Sequence, residues 1–269
     1  MTLVVGILNV TPDSFSDGGL WEGRDAAVAR GLELAEAGAD IVDVGGESTR
    51  PGAQRVTPEE ELARVLPVIG ALSARGIRVS VDTMRGATAR AAVEAGASLV
   101  NDVSGGLADA DMAATVAGLD VDYVCMHWRA HSHVMDAADV YRDVVAEVRD
   151  ELAARVDALE QAGVGRDRIV LDPGLGFSKV GESNWPLLAN IPIWSAGMRV
   201  MVGASRKRFL GMAIGRQESN PTDREAATTA VTTLAVASGV WAVRVHDVRA
   251  ARDATAVVAA WQHARQTEG

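Results

Sequence analysis

Acidic and amide side chains stand at the ends of three predicted strands. Asp82 ends the third strand, Asn101 and Asp102 end the fourth, and Asp172 ends the sixth. A buried carboxylate is costly unless donors meet it, and a flat heteroaromatic ring with amino and ring N–H groups supplies such donors. Asp82 or Asp102 could instead cap the following helix. The same placement on three strands favours a site that binds one edge of a base-like ring.

Basic side chains follow the last two predicted strands. The segment GASRKRF, residues 203–209, carries three consecutive cations, a pattern that is often only a solvated patch. Arg244 and His246 alternate along the eighth strand and therefore face the same side. In a β/α barrel the loop after strand seven is a common anion site. These groups predict a clamp for a diphosphate, against the net charge of −10 of the whole chain.

Two more polar segments follow the first and second strands. Asn9 opens the segment NVTPDSFSDGG, which could be an ordinary turn but stands where a barrel has its chemistry. The Asn9 amide is a candidate oxygen ligand for a Mg²⁺ ion held mainly by a diphosphate. Asp43 lies in strand two, before the loop GGESTRPG, whose glycines and Pro51 indicate a defined shape around Arg50.

Several histidines lie in the middle of the chain, but their pattern does not favour zinc. His127 and His131 span a strand end and a loop instead of one helix face, and the sequence has no C-x-x-C motif. His127, which ends strand five, is a candidate for lining the site. We expect His131, His133 and His263 to be surface residues.

The bulk composition restricts the class of protein. The net charge makes a nucleic-acid or anionic-membrane partner unexpected. No apolar run approaches the roughly 20 residues of a membrane span, and no signal peptide is evident. Cys125 is the only cysteine, so no intrachain disulfide can form. We expect a soluble cytoplasmic protein.

Eight predicted strands alternate with helices along the 269 residues. Most strands are continuous runs rich in Val and Ile, the pattern of parallel strands that are buried on both faces. Eight such units in about 250 residues predict a closed (β/α)8 TIM barrel, forming a single domain over residues 1–269. A doubly wound open sheet is the alternative.

Helix ends are predicted at three places. One helix is expected near residues 24–37, and a second follows Thr57, with Glu60 completing a capping box. A third has apolar residues at helical spacing from Tyr141 to Leu159 and ends at Gly163.

Taken together, the motifs resemble those of the dihydropteroate synthase family. They are GILNVTPDSFSDGG, DVGGESTRPGA, SVDTMR, VNDVSGG, MHWR, LDPGLGF, GASRKRFLG and RVHDVR, and they follow one another in that family's order. MHWR and the compact loops resemble the actinobacterial branch. The resemblance implies a barrel that condenses 6-hydroxymethyl-7,8-dihydropterin diphosphate with 4-aminobenzoate. It also implies release of diphosphate with Mg²⁺ present, and a homodimer.

The resemblance further implies roles for individual residues. Those implied to hold the pterin are Asp82, Asn101, Met126, Asp172 and Lys207. Those implied to hold diphosphate and metal are Asn9, Arg244 and His246. Those implied around the aminobenzoate are Thr49, Arg50, Pro51, Phe177, Ser205 and Arg206, and Gly203 also counts as substrate-binding. The catalytic set is Asp82, Asp172, Lys207, Arg244 and His246. We expect the loops over residues 13–19 and 48–52 to become ordered when both substrates bind.

Other functions fit parts of this pattern. A pterin-dependent methyltransferase has a related barrel, but it has no diphosphate for the basic segments to bind, and no corrinoid domain is evident. A non-catalytic pterin-binding paralogue would be expected to have lost loop residues, yet Asp13, Ser14, Thr49 and Arg50 are all present. A phosphate-sugar isomerase barrel would not explain the agreement of so many motifs.

Overall fold

Eight parallel strands close into a barrel in the computed structural model, which describes residues 1–11, 20–48, 55–131 and 138–267. Each strand pairs with the next in chain order, and the last pairs with the first. The strands are β1 (Leu3–Asn9), β2 (Ile41–Gly45), β3 (Val79–Asp82), β4 (Leu99–Asp102), β5 (Asp122–Met126), β6 (Ile169–Asp172), β7 (Arg199–Val202) and β8 (Ala242–Val245). This closure confirms the predicted barrel and excludes the open sheet.

Helices cover the outside of the barrel. They are α1 (Leu20–Glu36), α2 (Pro58–Ser73), α3 (Gly86–Glu94), α4 (Met112–Ala117), α5 (Val144–Gln161), α6 (Asn184–Ala189), α7 (Ile191–Ser195), α8 (Arg208–Ala213), α9 (Glu225–Ala237) and α10 (Val248–Thr267). Two helices, α6 and α7, lie between β6 and β7, and two more, α8 and α9, lie between β7 and β8. These two β/α units therefore each contain one additional helix. Within the described ranges, no helix is long and apolar enough to cross a membrane.

The helix starts show how capping residues set an element's limits. Thr57 caps α2 as predicted, because its hydroxyl accepts a hydrogen bond from the Glu60 N–H at 3.2 Å. The predicted start of α5 at Tyr141 is wrong. Asp143 caps that helix by accepting from two N–H groups at 3.1 and 3.0 Å, so the helix begins at Val144. The helix predicted near residues 24–37 begins earlier, at Leu20.

The inward-facing side chains of the strands form two layers, an apolar layer inside the barrel and a polar layer at its mouth. The inward layer near the start of the strands is mainly apolar. Its apolar members are Val5, Ile41, Leu99, Val124, Val170, Met201 and Ala242, and β3 contributes the buried Ser80 in register with Leu99. Outward residues such as Val44 and Val81 pack under the helices. Because successive side chains point to opposite faces, the residues two positions after this layer point inward as well, at the carboxyl ends of the strands.

Candidate active site

Five polar side chains occupy the inward positions directly above the apolar layer. They are Asp43, Asp82, Asn101, Asp172 and Arg244, from β2, β3, β4, β6 and β8. The carboxyl ends of the strands are where a β/α barrel places its chemistry. The structure therefore brings the predicted residues Asp82, Asn101 and Asp172 and the predicted cation Arg244 into a single cluster, which also contains Asp43.

Arg244 lies at the centre of the cluster, between two carboxylates. Its Nε donates to Asp43 Oδ2 at 2.6 Å, and its Nη2 donates to Asp82 Oδ2 at 2.7 Å. Asn101 Nδ2 donates to the same Asp43 oxygen at 3.1 Å. The other oxygen of Asp43, Oδ1, is buried with no partner among the described residues. Asp43 thus fixes the orientation of two residues that sequence patterns assigned to substrate binding.

Burial and the neighbouring charges shift the pKa values of Asp82 and Arg244. Burial raises the pKa of the Asp82 carboxyl to about 7; the Arg244 charge lowers it in opposition, and Asp43 raises it further. Burial lowers the pKa of Arg244, but the two carboxylates raise it by more, so the guanidinium stays charged. Near neutral pH the cluster therefore contains one permanent cation and one carboxyl group that is close to its titration point.

Asp172 is tied to the turn that follows β6. Its Oδ1 accepts from the Gly174 N–H at 2.7 Å. Lys207 approaches the same turn, because its Nζ donates to the Leu175 carbonyl and lies 4.7 Å from the centre of the Phe177 ring. Burial raises the pKa of Asp172, with Lys207 opposing the shift, and burial lowers the pKa of Lys207 to about 8, with Asp172 opposing. The turn therefore joins an acid and a base.

Two glycines leave space between these side chains. A Cβ at Gly203 would lie 3.7 Å from Asp172 Oδ2 and 3.8 Å from the Arg244 Cβ, and one at Gly45 would lie 3.4 Å from the Asp82 Cβ. Larger residues would narrow the barrel mouth at both points. Met126 ends β5 beside Asp172 in the sheet register and is 3% exposed, so an apolar surface adjoins the acid.

The segment after β7 packs against the end of β8. The Ser205 hydroxyl and His246 Nδ1 are 2.9 Å apart, and the His246 N–H donates to the Ser205 Oγ at 3.2 Å. Arg206 has a left-handed backbone with φ of 61°, a conformation uncommon outside glycine. Its guanidinium donates to Glu225 on α9. The structure therefore places Ser205 and His246 together and pairs Arg206 with α9.

The remaining predicted residues divide into two groups. Asn9 ends β1, is half-buried and pairs in register with Gly45. Thr49, Arg50 and Pro51 lie outside the described residues, as do Asp13 and Ser14. The expected ordering of the loops over residues 13–19 and 48–52 concerns mainly that undescribed part and stays a prediction.

Two sequence interpretations are corrected by the structure. His127 is 2% exposed and points outward, where its Nε2 lies 2.9 Å from Glu151 Oε2 on α5, so it does not line the barrel mouth. Asp102 also points outward, and its carboxylate accepts from the N–H groups of Ser104 and Gly106 and from the Tyr123 hydroxyl. Asp102 therefore organises the turn after β4.

Helix capping does not explain the strand-end acids. Neither Asp82 nor Asp102 is the residue that precedes a helix: α3 follows Arg85 and α4 follows Asp111. Sequence reasoning did not assign Asp43 to the site, although it stands two residues after the inward Ile41 and its carboxylate could have been placed by that spacing alone.

Comparison with known proteins agrees with this site along nearly the whole chain. The family model described as "Pterin binding enzyme" matches residues 5–246. The chain is 53% identical over 266 residues to a dihydropteroate synthase of the actinobacterium Mycobacterium leprae, covering 97% of this chain and 94% of that protein.

Two solved structures share the fold closely. Xanthomonas albilineans dihydropteroate synthase with 4-aminobenzoic acid is 45% identical, with a TM-score of 0.89, and the match covers 98% of this chain and 93% of that one. Burkholderia cenocepacia dihydropteroate synthase complexed with 7,8-dihydropteroate is 40% identical, with a TM-score of 0.89 and coverage of 99% and 94%.

Proposed function

Because the chain belongs to the pterin-binding enzymes, and within them to the dihydropteroate synthases, we propose that it condenses 6-hydroxymethyl-7,8-dihydropterin diphosphate with 4-aminobenzoate. The products are 7,8-dihydropteroate and diphosphate, which places this transferase in folate synthesis. The observation that carries the proposal is the convergence of Asp82, Asn101, Asp172 and Lys207 around the Arg244 cluster at one end of the barrel.

The pterin is assigned to the acids and the amide of this cluster. A pterin ring presents amino and ring N–H donors along one edge, and carboxylate or amide oxygens are suitable acceptors. Asp82, Asn101 and Asp172 supply such oxygens from three different strands. Met126 would pack on a ring face, and Lys207 would donate to a ring acceptor. The unpartnered Asp43 Oδ1 marks one more buried acceptor close to these groups.

The diphosphate is assigned to Arg244 and His246. Arg244 donates one hydrogen bond from Nε and one from Nη2 to carboxylates. A guanidinium has further N–H donors that can bind anionic oxygens. His246 stands two residues further along, against Ser205. Charge-assisted hydrogen bonds of this kind are among the strong ones in proteins.

Magnesium is a cofactor that the family implies. The described residues would bind it only if oxygen atoms of the diphosphate supplied most of its ligands. Among the described residues no group of three His, Cys, Asp or Glu side chains could hold a metal ion. Asn9 offers one neutral oxygen at the barrel mouth, and Mg²⁺ commonly binds through one or two protein oxygens together with substrate phosphates. When bound, Mg²⁺ would supply positive charge to the leaving diphosphate.

The arylamine is assigned to the outer rim of the mouth. Phe177 and Ser205 stand beside Lys207 and His246 respectively, and these contacts with groups proposed for the pterin and the diphosphate support the assignment. Arg206 would have to exchange or share its contact with Glu225 to reach a carboxylate. Thr49, Arg50 and Pro51 complete this assignment.

The chemistry then needs little acid–base catalysis. The bond between the pterin methylene carbon and the diphosphate oxygen breaks, and both electrons leave with the diphosphate. The amine nitrogen donates its lone pair to the methylene cation and forms the carbon–nitrogen bond, and the resulting acidic anilinium gives its proton to water. Arg244 and His246 stabilise the departing anion, while Asp82 and Asp172 stabilise the cation electrostatically. Lys207 holds the pterin, and positioning of the arylamine supplies the rest.

We also propose a homodimer, as the family suggests. Two neighbouring outer helices, α9 and α10, expose large apolar side chains: Leu234 is 67% exposed, Val257 63% and Trp261 53%. Val257 and Trp261 are four residues apart and so share one helix face. Sedimentation should give a dimer that Trp261→Glu weakens; a monomeric native protein would oppose this assignment. A cytoplasmic location is part of the same proposal.

Product identification tests the proposed reaction. Purified protein incubated with both substrates and Mg²⁺ should form 7,8-dihydropteroate, identified by mass spectrometry. Asp172→Asn should reduce the yield, whereas Asp122→Asn, at the opposite end of β5 from the site, should not. Absence of 7,8-dihydropteroate with the native protein would refute the proposal.

A further inference from the structure

A buried lysine lies beneath the turn that follows β6. Lys179 is 2% exposed. Its Nζ lies 2.9 Å from His127 Nδ1, 3.0 Å from the Phe177 carbonyl oxygen and 3.2 Å from the Gly174 carbonyl oxygen. Burial lowers the pKa of Lys179 to about 7, with the Asp172 charge opposing that shift. In its charged form the ammonium group has three hydrogens to donate, and these three acceptors match them. A buried lysine is unusual unless it is paired, and the partners here are one imidazole and two backbone carbonyls.

His127 and Glu151 extend the contact to the outside of the barrel. If His127 Nδ1 accepts from the ammonium, the imidazole proton is on Nε2, which then donates to Glu151 Oε2 at 2.9 Å. Arg129 Nε donates to the same Glu151 oxygen at 3.1 Å. Burial lowers the pKa of His127 to about 4, and the Lys179 charge lowers it as well, so the imidazole is neutral. The order of groups is carboxylate, neutral imidazole, ammonium, backbone carbonyls.

The turn held by Lys179 carries groups of the pterin site. The Gly174 N–H donates to Asp172 Oδ1, while the Gly174 carbonyl accepts from Lys179. The Leu175 carbonyl, one residue on, accepts from Lys207. Gly174 has a φ of 65°, and a Cβ there would collide with the His127 carbonyl. The turn is therefore fixed from below by Lys179 and connected above to Asp172 and Lys207.

We infer that Lys179 is a positioning residue, which holds the turn at residues 173–177 so that the Asp172 carboxylate and the Lys207 ammonium face the pterin. Lys179 does not touch the substrate in this account; it acts through the Gly174 and Phe177 carbonyls, with His127 and Glu151 as its support. The inference rests on the proposed pterin site. It also predicts that the His127 proton is on Nε2, because Nδ1 accepts from Lys179, and this tautomer can be measured.

Direct binding distinguishes positioning from general stability. Lys179→Met keeps the length of the side chain and removes its donors. We expect it to weaken pterin diphosphate binding, measured by calorimetry without arylamine, by about tenfold or more, because a misplaced Asp172 carboxylate would lose a charge-assisted bond to the pterin. The control is Trp194→Phe, which removes another buried hydrogen bond in the segment between β6 and β7, to the Leu187 carbonyl, and should leave pterin affinity unchanged.

The outcomes separate the inference from the proposed function. If the native protein fails to bind pterin diphosphate, the proposed function fails. If it binds and Lys179→Met binds equally well while its melting temperature falls, Lys179 is only structural and the inference is wrong.

A second measurement does not require Lys179→Met to fold. Nitrogen-15 NMR of the native protein should be recorded near pH 6, below the Lys179 pKa of about 7 and above the His127 pKa of about 4. It should find His127 neutral with its proton on Nε2, and Glu151→Gln should weaken pterin binding in the same direction as Lys179→Met. A proton on Nδ1, or unchanged affinity in Glu151→Gln, would overturn the inference.

Discussion

Arg244 and Asp43 form an ion pair in the barrel mouth, with 2.6 Å between Nε and Oδ2. The Asp43 side chain is fully buried, and the Arg244 side chain is 19% exposed. Asp43 also receives the Asn101 amide. This one carboxylate therefore orients a cation proposed for the diphosphate and an amide proposed for the pterin, and it adds its charge to the field that Asp82 experiences.

Removing the Asp43 charge should make Asp82 more acidic. Asp43 is among the groups that raise the pKa of Asp82, so Asp43→Asn should lower that pKa from its value of about 7. Carbon-13 NMR titration of the Asp82 carboxyl would measure the shift. Asp122→Asn, which removes the same charge at the far end of β5, serves as the control. An unchanged or higher Asp82 pKa would show that the Asp43 charge does not reach Asp82.

Pterin binding should release protons near neutral pH. The free Asp82 has a pKa of about 7, so a large share of the carboxyl groups is protonated there. Ring N–H groups that donate to the carboxylate favour its ionised form and lower its pKa. Calorimetry in two buffers with different ionisation enthalpies would count the protons. Lys207, with a pKa of about 8, can take up protons on binding, so the comparison with Asp82→Asn isolates the Asp82 contribution. Asp82→Asn should release fewer protons than native protein, and an equal number in the two proteins would contradict this role.

Arg244→Ala should weaken binding of the pterin diphosphate by about tenfold or more, since a hydrogen bond to a charged group contributes roughly 1.5–3 kcal/mol. It should also lower the melting temperature, because two buried carboxylates lose their cation. Arg252→Ala is the control: Arg252 pairs with Asp40 at 2.5 Å in a position outside the mouth. Calorimetry below the melting temperature of both variants gives the affinities, and equal affinity for native and Arg244→Ala protein would remove Arg244 from the clamp.

Asp172→Asn should damage pterin binding more than folding. The asparagine carbonyl can still accept from the Gly174 N–H, now bonded at 2.7 Å, so the turn is retained. The variant loses the charge, and its amide can present a donor where the ring N–H groups need an acceptor. Pterin affinity and thermal melting, measured on the same preparation, would test this. Intact affinity together with a collapsed melting temperature would make Asp172 a structural residue.

The barrel and the strand-end acids were predictable because both depend on local patterns. Continuous apolar runs and a regular strand–helix order determine a parallel sheet that is covered on both faces. Once the strands are placed, a period of two assigns Asp82, Asn101 and Asp172 to the interior. The same period also includes Asp43, which sequence reasoning passed over for lack of a neighbouring motif.

Other features depend on contacts between residues distant in sequence and could not be read from spacing. Lys179 lies 52 residues from its His127 partner, and Arg244 lies 201 residues from Asp43. His127 points outward because the preceding residue, Met126, points inward. Its burial depends on α5, which carries its partner Glu151, and that contact could not be predicted from spacing. The start of α5 was misplaced because Tyr141 continues the apolar period, while the cap at Asp143 determines where the helix begins.

The most direct test of the whole account is the release of diphosphate with each substrate supplied in turn. In the presence of Mg²⁺, native protein should release diphosphate in stoichiometric amounts with 7,8-dihydropteroate when both pterin diphosphate and 4-aminobenzoate are present, and Arg244→Ala and Asp172→Asn should be slower. With 4-aminobenzoate alone no diphosphate should appear. Sustained turnover that is independent of 4-aminobenzoate, or no release with both substrates present, would contradict the assignment of this barrel as a dihydropteroate synthase.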